Sequence, residues 1–280
     1  MIASPLAATA IALVVGLCVG SFLNVVIHRL PKMLERDWRA QCAEMRGEEA
    51  PAEDPPVYNL ALPRSRCPGC GHRITALENV PLVSWLVLRG RCSQCAQSIS
   101  ARYPIVELLG GALAALAIWR FGATWQAAAA CVFLWTLVAL TFIDFDTQYL
   151  PDNLTLPLLW AGLAANLFHL FTPLADAVIG AIAGYLVLWL VYWAFKLIRN
   201  KEGMGHGDFK LLAALGAWLG WQVLPVIIVL SCVAGAAIGI SLMVFRGRDH
   251  NLPIAFGPFL AIAGAVALFF GQALAQVYLP

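Results

Sequence analysis

Among the sixteen acidic residues of this 280-residue chain, two groups occupy places where a carboxylate is expensive. Asp144, Asp146 and Asp152 lie in TFIDFDTQYLPD, and Asp208 lies in GMGHGDF. Both groups sit at the ends of long apolar runs, where ionisable residues generally face a bundle interior and serve a function. Two carboxylates held close together cannot both ionise easily, so the pair shares a proton and titrates as a unit. Its ionised member activates a water as general base while the other donates a proton to a peptide carbonyl. Asp144 and Asp208, one from each apolar segment, form the natural pair, although spacing alone does not bring them together. Asp152, following Pro151, reads as a helix N-cap, and Asp146 as a solvated interfacial residue. Capping is also the alternative for Asp208, but it does not explain Gly203, Gly205 and Gly207 around it. Glycine permits close backbone approach and positive φ, which an active-site loop receiving an extended peptide needs.

A second constellation is CPGCGH and CSQC, with Cys67 and Cys70 followed after 21 residues by Cys92 and Cys95. Two such knuckles present four thiolates in a tetrahedron suited to zinc, and a site closed by four cysteines folds a loop rather than catalysing. The gap slightly exceeds the usual zinc-ribbon range. A redox pair and free thiols are the alternatives. His72 reads as a solvated histidine beside the site. Cys18, Cys131 and Cys232 lie singly in apolar segments as small core residues, and Cys42 has no assigned role.

The elements that position these residues are membrane spans. The chain is 61% hydrophobic and 12% charged, about half the charged fraction of a soluble domain. Residues 211–245 and 251–280 carry no Asp, Glu, Lys or Arg, and a span needs about 20 apolar residues. The first apolar run, Leu6 to Ile27, is too long for a cleavable signal and lacks a basic leader, so it reads as a span. Eight spans follow, at about 6–28, 104–120, 124–143, 153–171, 175–197, 209–221, 223–245 and 253–278. Of the 18 Lys and Arg, all but Arg120 then fall in or beside loops on one side, which the positive-inside rule makes cytoplasmic. The N-terminus lies outside, and both aspartate groups and all four paired cysteines lie at the cytoplasmic face.

The expected fold is therefore an all-α integral membrane protein of about eight transmembrane helices, with a cytoplasmic zinc-binding loop domain between helices 1 and 2. Its parts are a first helix over 1–28, a four-cysteine domain over 29–103 and a seven-helix membrane domain over 104–280. The acidic, proline-rich stretch 42–59 reads as a flexible loop. The bilayer is one partner, and no nucleic-acid partner is expected.

GSFLNVVIHRLP (20–31), the two knuckles, IDFDTQYLPD (143–152) and GMGHGDFKLLAALGAWLG (203–220) together resemble the type 4 prepilin leader peptidases over nearly the whole chain. That resemblance implies a bifunctional enzyme of the bacterial inner membrane. It would cut the basic leader of prepilins and pseudopilins after a glycine and N-methylate the new N-terminus with S-adenosylmethionine, supporting type IV pili or type II secretion. It assigns catalysis to Asp144 and Asp208, the active-site loop to Gly205 and Gly207, and structural zinc to Cys67, Cys70, Cys92 and Cys95. The methyltransferase site is unassigned, since no glycine-rich nucleotide loop follows a strand. Gly20, Ser21 and Asn24 read equally as close helix packing with a polar contact. The rival readings are a presenilin-like intramembrane protease and a proton-coupled transporter with a zinc-bound loop.

Overall fold

The structure is a computed structural model and describes residues 4–48, 55, 57–200, 204–246 and 255–276. Among these residues the regular elements are helical, and the chain divides into two compact units, Met1–Ala123 and Thr124–Pro280. Helices Pro5–Met45, Arg102–Phe121, Trp125–Thr147, Leu174–Arg199 and Trp221–Ser241 are long and apolar enough to cross a membrane. The protein is an integral membrane protein.

In the first unit, α1 (Pro5–Met45) packs along α3 (Arg102–Phe121), with the short α2 (Val83–Val87) in the segment between them. Their crossing is made by backbone on backbone. A Cβ on Gly16 would come to 2.5 Å of the Gly110 carbonyl oxygen, and one on Gly20 to 2.6 Å of Glu107 Cα. Asn24 Nδ2 donates to the Tyr103 carbonyl at 3.1 Å, so GSFLN packs closely and makes a polar contact. Glu107 is buried and accepts from the Leu82 amide at 2.8 Å, which fastens the loop to α3. The first helix does not stop near residue 28. It passes through Pro31 and continues to Met45, because MLERDWRAQCAEM is rich in strong helix formers despite its charge. Residues 42–45, within the stretch expected to be a flexible loop, belong to this helix, and residues 49–54 and 56 lie outside the described residues.

The second unit holds α4 (Trp125–Thr147), α5 (Asp152–Leu167), α6 (Leu174–Arg199), α7 (His206–Leu219), α8 (Leu224–Arg246) and α9 (Gly257–Ala275). These elements fall close to the later spans expected from the sequence. Helix α7 forms the core, with Leu211 through Leu219 all buried and α5, α6 and α9 packed against it. A helix apolar on every side must be wrapped by others. Its 14 residues rise about 21 Å, short of a hydrocarbon core of about 30 Å. Trp218 fills the space between α4, α5 and α7, packing tilted against Phe133 with ring centroids 5.0 Å apart and donating from Nε1 to the Leu158 carbonyl at 2.7 Å. Buried Asn166 donates to the carbonyls of Ala217 and Trp218, while its Oδ1 accepts from the amides of Phe171 and Thr172. All the hydrogen-bonding capacity of that amide is used.

Helix α6 meets α7 through Gly180, where an added Cβ would lie 2.4 Å from the Gly216 carbonyl oxygen. Backbone cannot give way as a side chain can, so Gly180→Val should destabilise by about 3 kcal/mol, at the upper end of overpacking costs. Gly235→Ala is the comparison, because its Cβ would meet only the Phe259 ring at 3.4 Å. Thermal unfolding in detergent should separate the two variants, with a clear fall in Tm for the first only.

Candidate functional site

The second unit brings both aspartates of the expected pair to helix ends. Asp144 sits one turn before the end of α4, which closes at Gln148 in the left-handed region (φ 53°). The chain then runs through Leu150 and Pro151 into α5. Asp208 lies in the first turn of α7, where the unpaired amides and helix dipole favour a negative group. Gly205 is the N-cap and supplies no side-chain cap. Both residues are buried, at 5% and 7% exposure. They interact electrostatically, the charge of Asp144 acting on Asp208.

The neighbouring acidic residues differ in each case. Asp146 faces outward and is exposed. Asp152 does not cap α5, because Pro151 is the N-cap; instead both its oxygens accept from Lys210 Nζ at 2.7 Å. This pair joins the start of α5 to the start of α7, two residues beyond Asp208. The sequence places Lys210 beside a basic loop and offers no sign of this partner.

Two further residues at this site carry no signal in the sequence. Leu150 is buried, and a Cβ on Gly207 would come to 2.7 Å of the Leu150 Cβ. Gly207 is therefore needed to seat the protein's own Leu150, whereas a Cβ added to Gly205 would have nothing within 4 Å and would point into free space. Gly257, the first residue of α9, packs on the Asp144 carboxylate, its Cβ position lying 2.6 Å from Oδ2. In the sequence, Leu150 and Gly257 both read as ordinary apolar packing.

The first unit holds the four-cysteine site. Its two knuckles share one design: the Cys67 amide donates to the His72 carbonyl and that of Cys92 to the Gln97 carbonyl, each at 2.8 Å. The turns close through Gly71 (φ 71°) and Ala96 (φ 56°). Sulfur atoms of Cys67 and Cys95 lie 3.7 Å apart, and those of Cys70 and Cys92 4.0 Å apart, within a cluster no wider than 4.8 Å. A tetrahedron with metal–sulfur bonds of about 2.3 Å has edges of about 3.8 Å. The donor set therefore fits a tetrahedral metal.

Electrostatics within the cluster agree with a cation at its centre. Backbone amides of Cys70 and Gly69 lower the Cys67 thiol to about 6. The Gln97 amide also favours the Cys95 thiolate, but Cys70, Cys67 and Cys92 together with burial outweigh it and push that thiol up to about 12. Four thiolates at this spacing need positive charge between them. His72 is not in the cluster; its ring pairs with Glu78 at 3.2 Å. Glu78 also accepts from Ser93 Oγ, from the Thr75 amide at 2.9 Å and from Thr75 Oγ1 at 2.8 Å. One carboxylate thus joins the segment after the first knuckle to the interior of the second. These bonds, Ser93 foremost, then the Thr75 amide and hydroxyl and His72, lower it to about 2. A depressed carboxylate contributes fully above its ordinary value of 4.5 and loses that contribution as pH falls towards 2.

Comparison with known proteins agrees with this arrangement. The family model described as the bacterial peptidase A24 N-terminal domain matches residues 14–121, and that of the type IV leader peptidase family matches residues 131–240. The chain is 58% identical over 264 residues to a prepilin leader peptidase/N-methyltransferase of Aeromonas hydrophila, covering 94% of this chain and 91% of that protein. Proteins of the same name from Stutzerimonas stutzeri and Pseudomonas aeruginosa are 57% and 54% identical, over 99% and 98% of this chain and 95% and 94% of theirs. No solved structure matches the chain. With two family models in sequence order and relatives aligned almost end to end, the chain belongs to the type IV leader peptidase family.

Proposed function

We propose that this protein is a membrane aspartic endopeptidase that removes the leader of prepilins and pseudopilins after a glycine and then N-methylates the new N-terminal residue. The observation that carries the peptidase reading is the pair of buried carboxylates, Asp144 and Asp208, at helix ends of one unit. In this reading one carboxylate is ionised and takes a proton from water as it attacks the scissile carbonyl. The other is protonated and donates to the carbonyl oxygen. As the intermediate collapses, the first gives the proton it took from water to the departing amine and the second recovers one from the gem-diol hydroxyl. Burial excludes competing water and strengthens every charge interaction. Gly205, extended at φ −77° and ψ 145° and open on one side, offers room for the substrate strand.

In this reading these helix ends lie at the cytoplasmic face of the bacterial inner membrane, with the N-terminus outside, which the distribution of basic residues over the loops supports. There a membrane-anchored prepilin presents its cut site at the interface, between a basic leader in the cytoplasm and an apolar segment in the bilayer. The membrane-domain reading assigns residues 104–280 to the peptidase, and residues 29–103 to the cytoplasmic domain. Zinc is the metal for Cys67, Cys70, Cys92 and Cys95, with a structural role.

S-adenosylmethionine would supply the methyl group for the freed amine. A cavity of about 380 Å³ in the first unit is lined by Arg29, Arg64, Ser65, Thr75 and Asn79. Its volume lies within the range of small-molecule sites. Arg64 is the residue there that would pair with the donor's carboxylate.

Asp144→Asn and Asp208→Asn should each abolish prepilin cleavage in folded protein, a loss of at least about 10⁴-fold by analogy with other catalytic dyads and triads. Exposed Asp146→Asn should retain most activity. Full activity in either of the first two variants would remove the dyad assignment.

Elemental analysis of purified, reduced protein should find one zinc per chain, and Cys67→Ser should abolish it. Glu78→Gln should keep the metal at neutral pH yet release it to a chelator about tenfold faster, as removal of supporting hydrogen bonds around metal ligands does elsewhere. Arg64→Ala should leave the extent of cleavage unchanged but reduce the methylated fraction, which mass measurement of the product reads directly.

A further inference from the structure

Among the described residues, Asp144 Oδ2 is the buried side-chain oxygen left without a hydrogen-bond partner. Such an atom costs free energy that the fold must offset elsewhere, and where it persists it commonly marks a functional position. What lies against it is the start of α9. A Cβ added to Gly257 would stand 2.6 Å from Oδ2, 3.2 Å from the Asp144 carboxyl carbon and 3.1 Å from Leu150 Cδ1. The first of these is closer than any side chain tolerates without movement.

Helix α9 is well placed for more than a local contact. It packs along both α4, which carries Asp144, and α7, which carries Asp208. Its first turn begins at Gly257. Pro258 has no amide hydrogen, and the Phe259 amide donates to the Phe256 carbonyl at 3.1 Å. The helix end therefore meets the carboxylate as bare glycine backbone, on the side where the helix dipole is positive. Leu150 completes the arrangement, because it fills the space between Gly207 in the first turn of α7 and Gly257 of α9. Three separate stretches of chain close around one carboxylate.

We propose that Gly257 is a positioning residue of the peptidase and that the start of α9 is the third element of its active site. Its backbone fixes the orientation of the Asp144 carboxylate towards Asp208, and glycine is required because any side chain would displace Oδ2. This rests on the dyad reading above for its catalytic consequence, while the contact itself does not.

The test pairs kinetics with stability. Gly257→Ala should lower kcat for prepilin cleavage about 100-fold, the usual result of misplacing a reacting group by about 1 Å. KM should stay within about twofold, because substrate binding is untouched. Gly264→Ala is the control: it adds a methyl group to the same helix, 2.5 Å from Leu215 Cδ2 and away from the dyad, so it should lower Tm without lowering kcat. A second measurement covers the case in which Gly257→Ala folds poorly. In an Asp144→Ala background the added methyl group has no carboxylate to displace, so Gly257→Ala should lower Tm much less there than in the wild-type background. Wild-type kcat in Gly257→Ala would overturn the proposal, as would an equal fall in Tm, or equal failure to fold, in both backgrounds. Activity surviving in Asp144→Asn would instead sink the dyad and leave the stability comparison intact.

Discussion

A carboxylate inside an apolar bundle must be surrounded by groups that cost it little, and that constraint organises the second unit. Asp144 and Asp208 are more than nine-tenths buried, yet among the described residues no basic side chain is set on either of them. On the dyad reading, a cation paired to these carboxylates would neutralise the charge that the proposed chemistry uses. The nearby lysine, Lys210, is instead bound by Asp152, which keeps it beside the dyad without joining it. What approaches the aspartates is backbone: the first turn of α7 for Asp208 and the start of α9 for Asp144. Glycines allow that approach, and a single leucine, Leu150, fills the space they leave.

The metal site in the first unit solves a related problem in an opposite way. Four thiols within 4.8 Å of one another cannot all ionise on their own, and there the arrangement suits a shared cation rather than dispersed backbone dipoles. Around it, hydrogen bonds replace the hydrophobic core that a loop of this length lacks. Glu78 collects donors from both halves of the loop, and Arg29 reaches from α1 to the carbonyls of Asn59 and Pro63 at 2.8 and 2.6 Å. Such polar staples hold a segment that buries few large side chains.

Much of this is legible in the sequence because membrane physics writes itself in composition. Uncharged runs over 211–245 and 251–280 mark α7, α8 and α9, and paired Cys-x-x-Cys spacing marks the metal cluster. Asp144 and Asp208 are visible because a carboxylate beside such runs is anomalous. Gly257 is not, since a glycine opening an apolar helix has many ordinary reasons to be there, and only its distance to Oδ2 separates them. Nor does any rule of spacing connect Lys210 to Asp152 across 58 residues. The length of α1 departs from expectation for a different reason. Charge in residues 32–45 argues for leaving the membrane, but leaving the membrane does not end a helix.

The interlocked glycines of α6 and α7 also bear on how a substrate enters. At Gly180 and Gly216 the two backbones touch with no side chain between them to change rotamer. Sliding or tilting one helix against the other would force carbonyl against carbon at once, so the two move as a single rigid body. Asp208 rides on that body. On the peptidase reading, an opening for a transmembrane peptide would come from the other wall, where α9 meets α7 through side chains such as Leu215 that can rearrange. On that reading Asp208 stays with the rigid pair, and any movement falls to α4 and α9 together, which carry Asp144 and the Gly257 that abuts it.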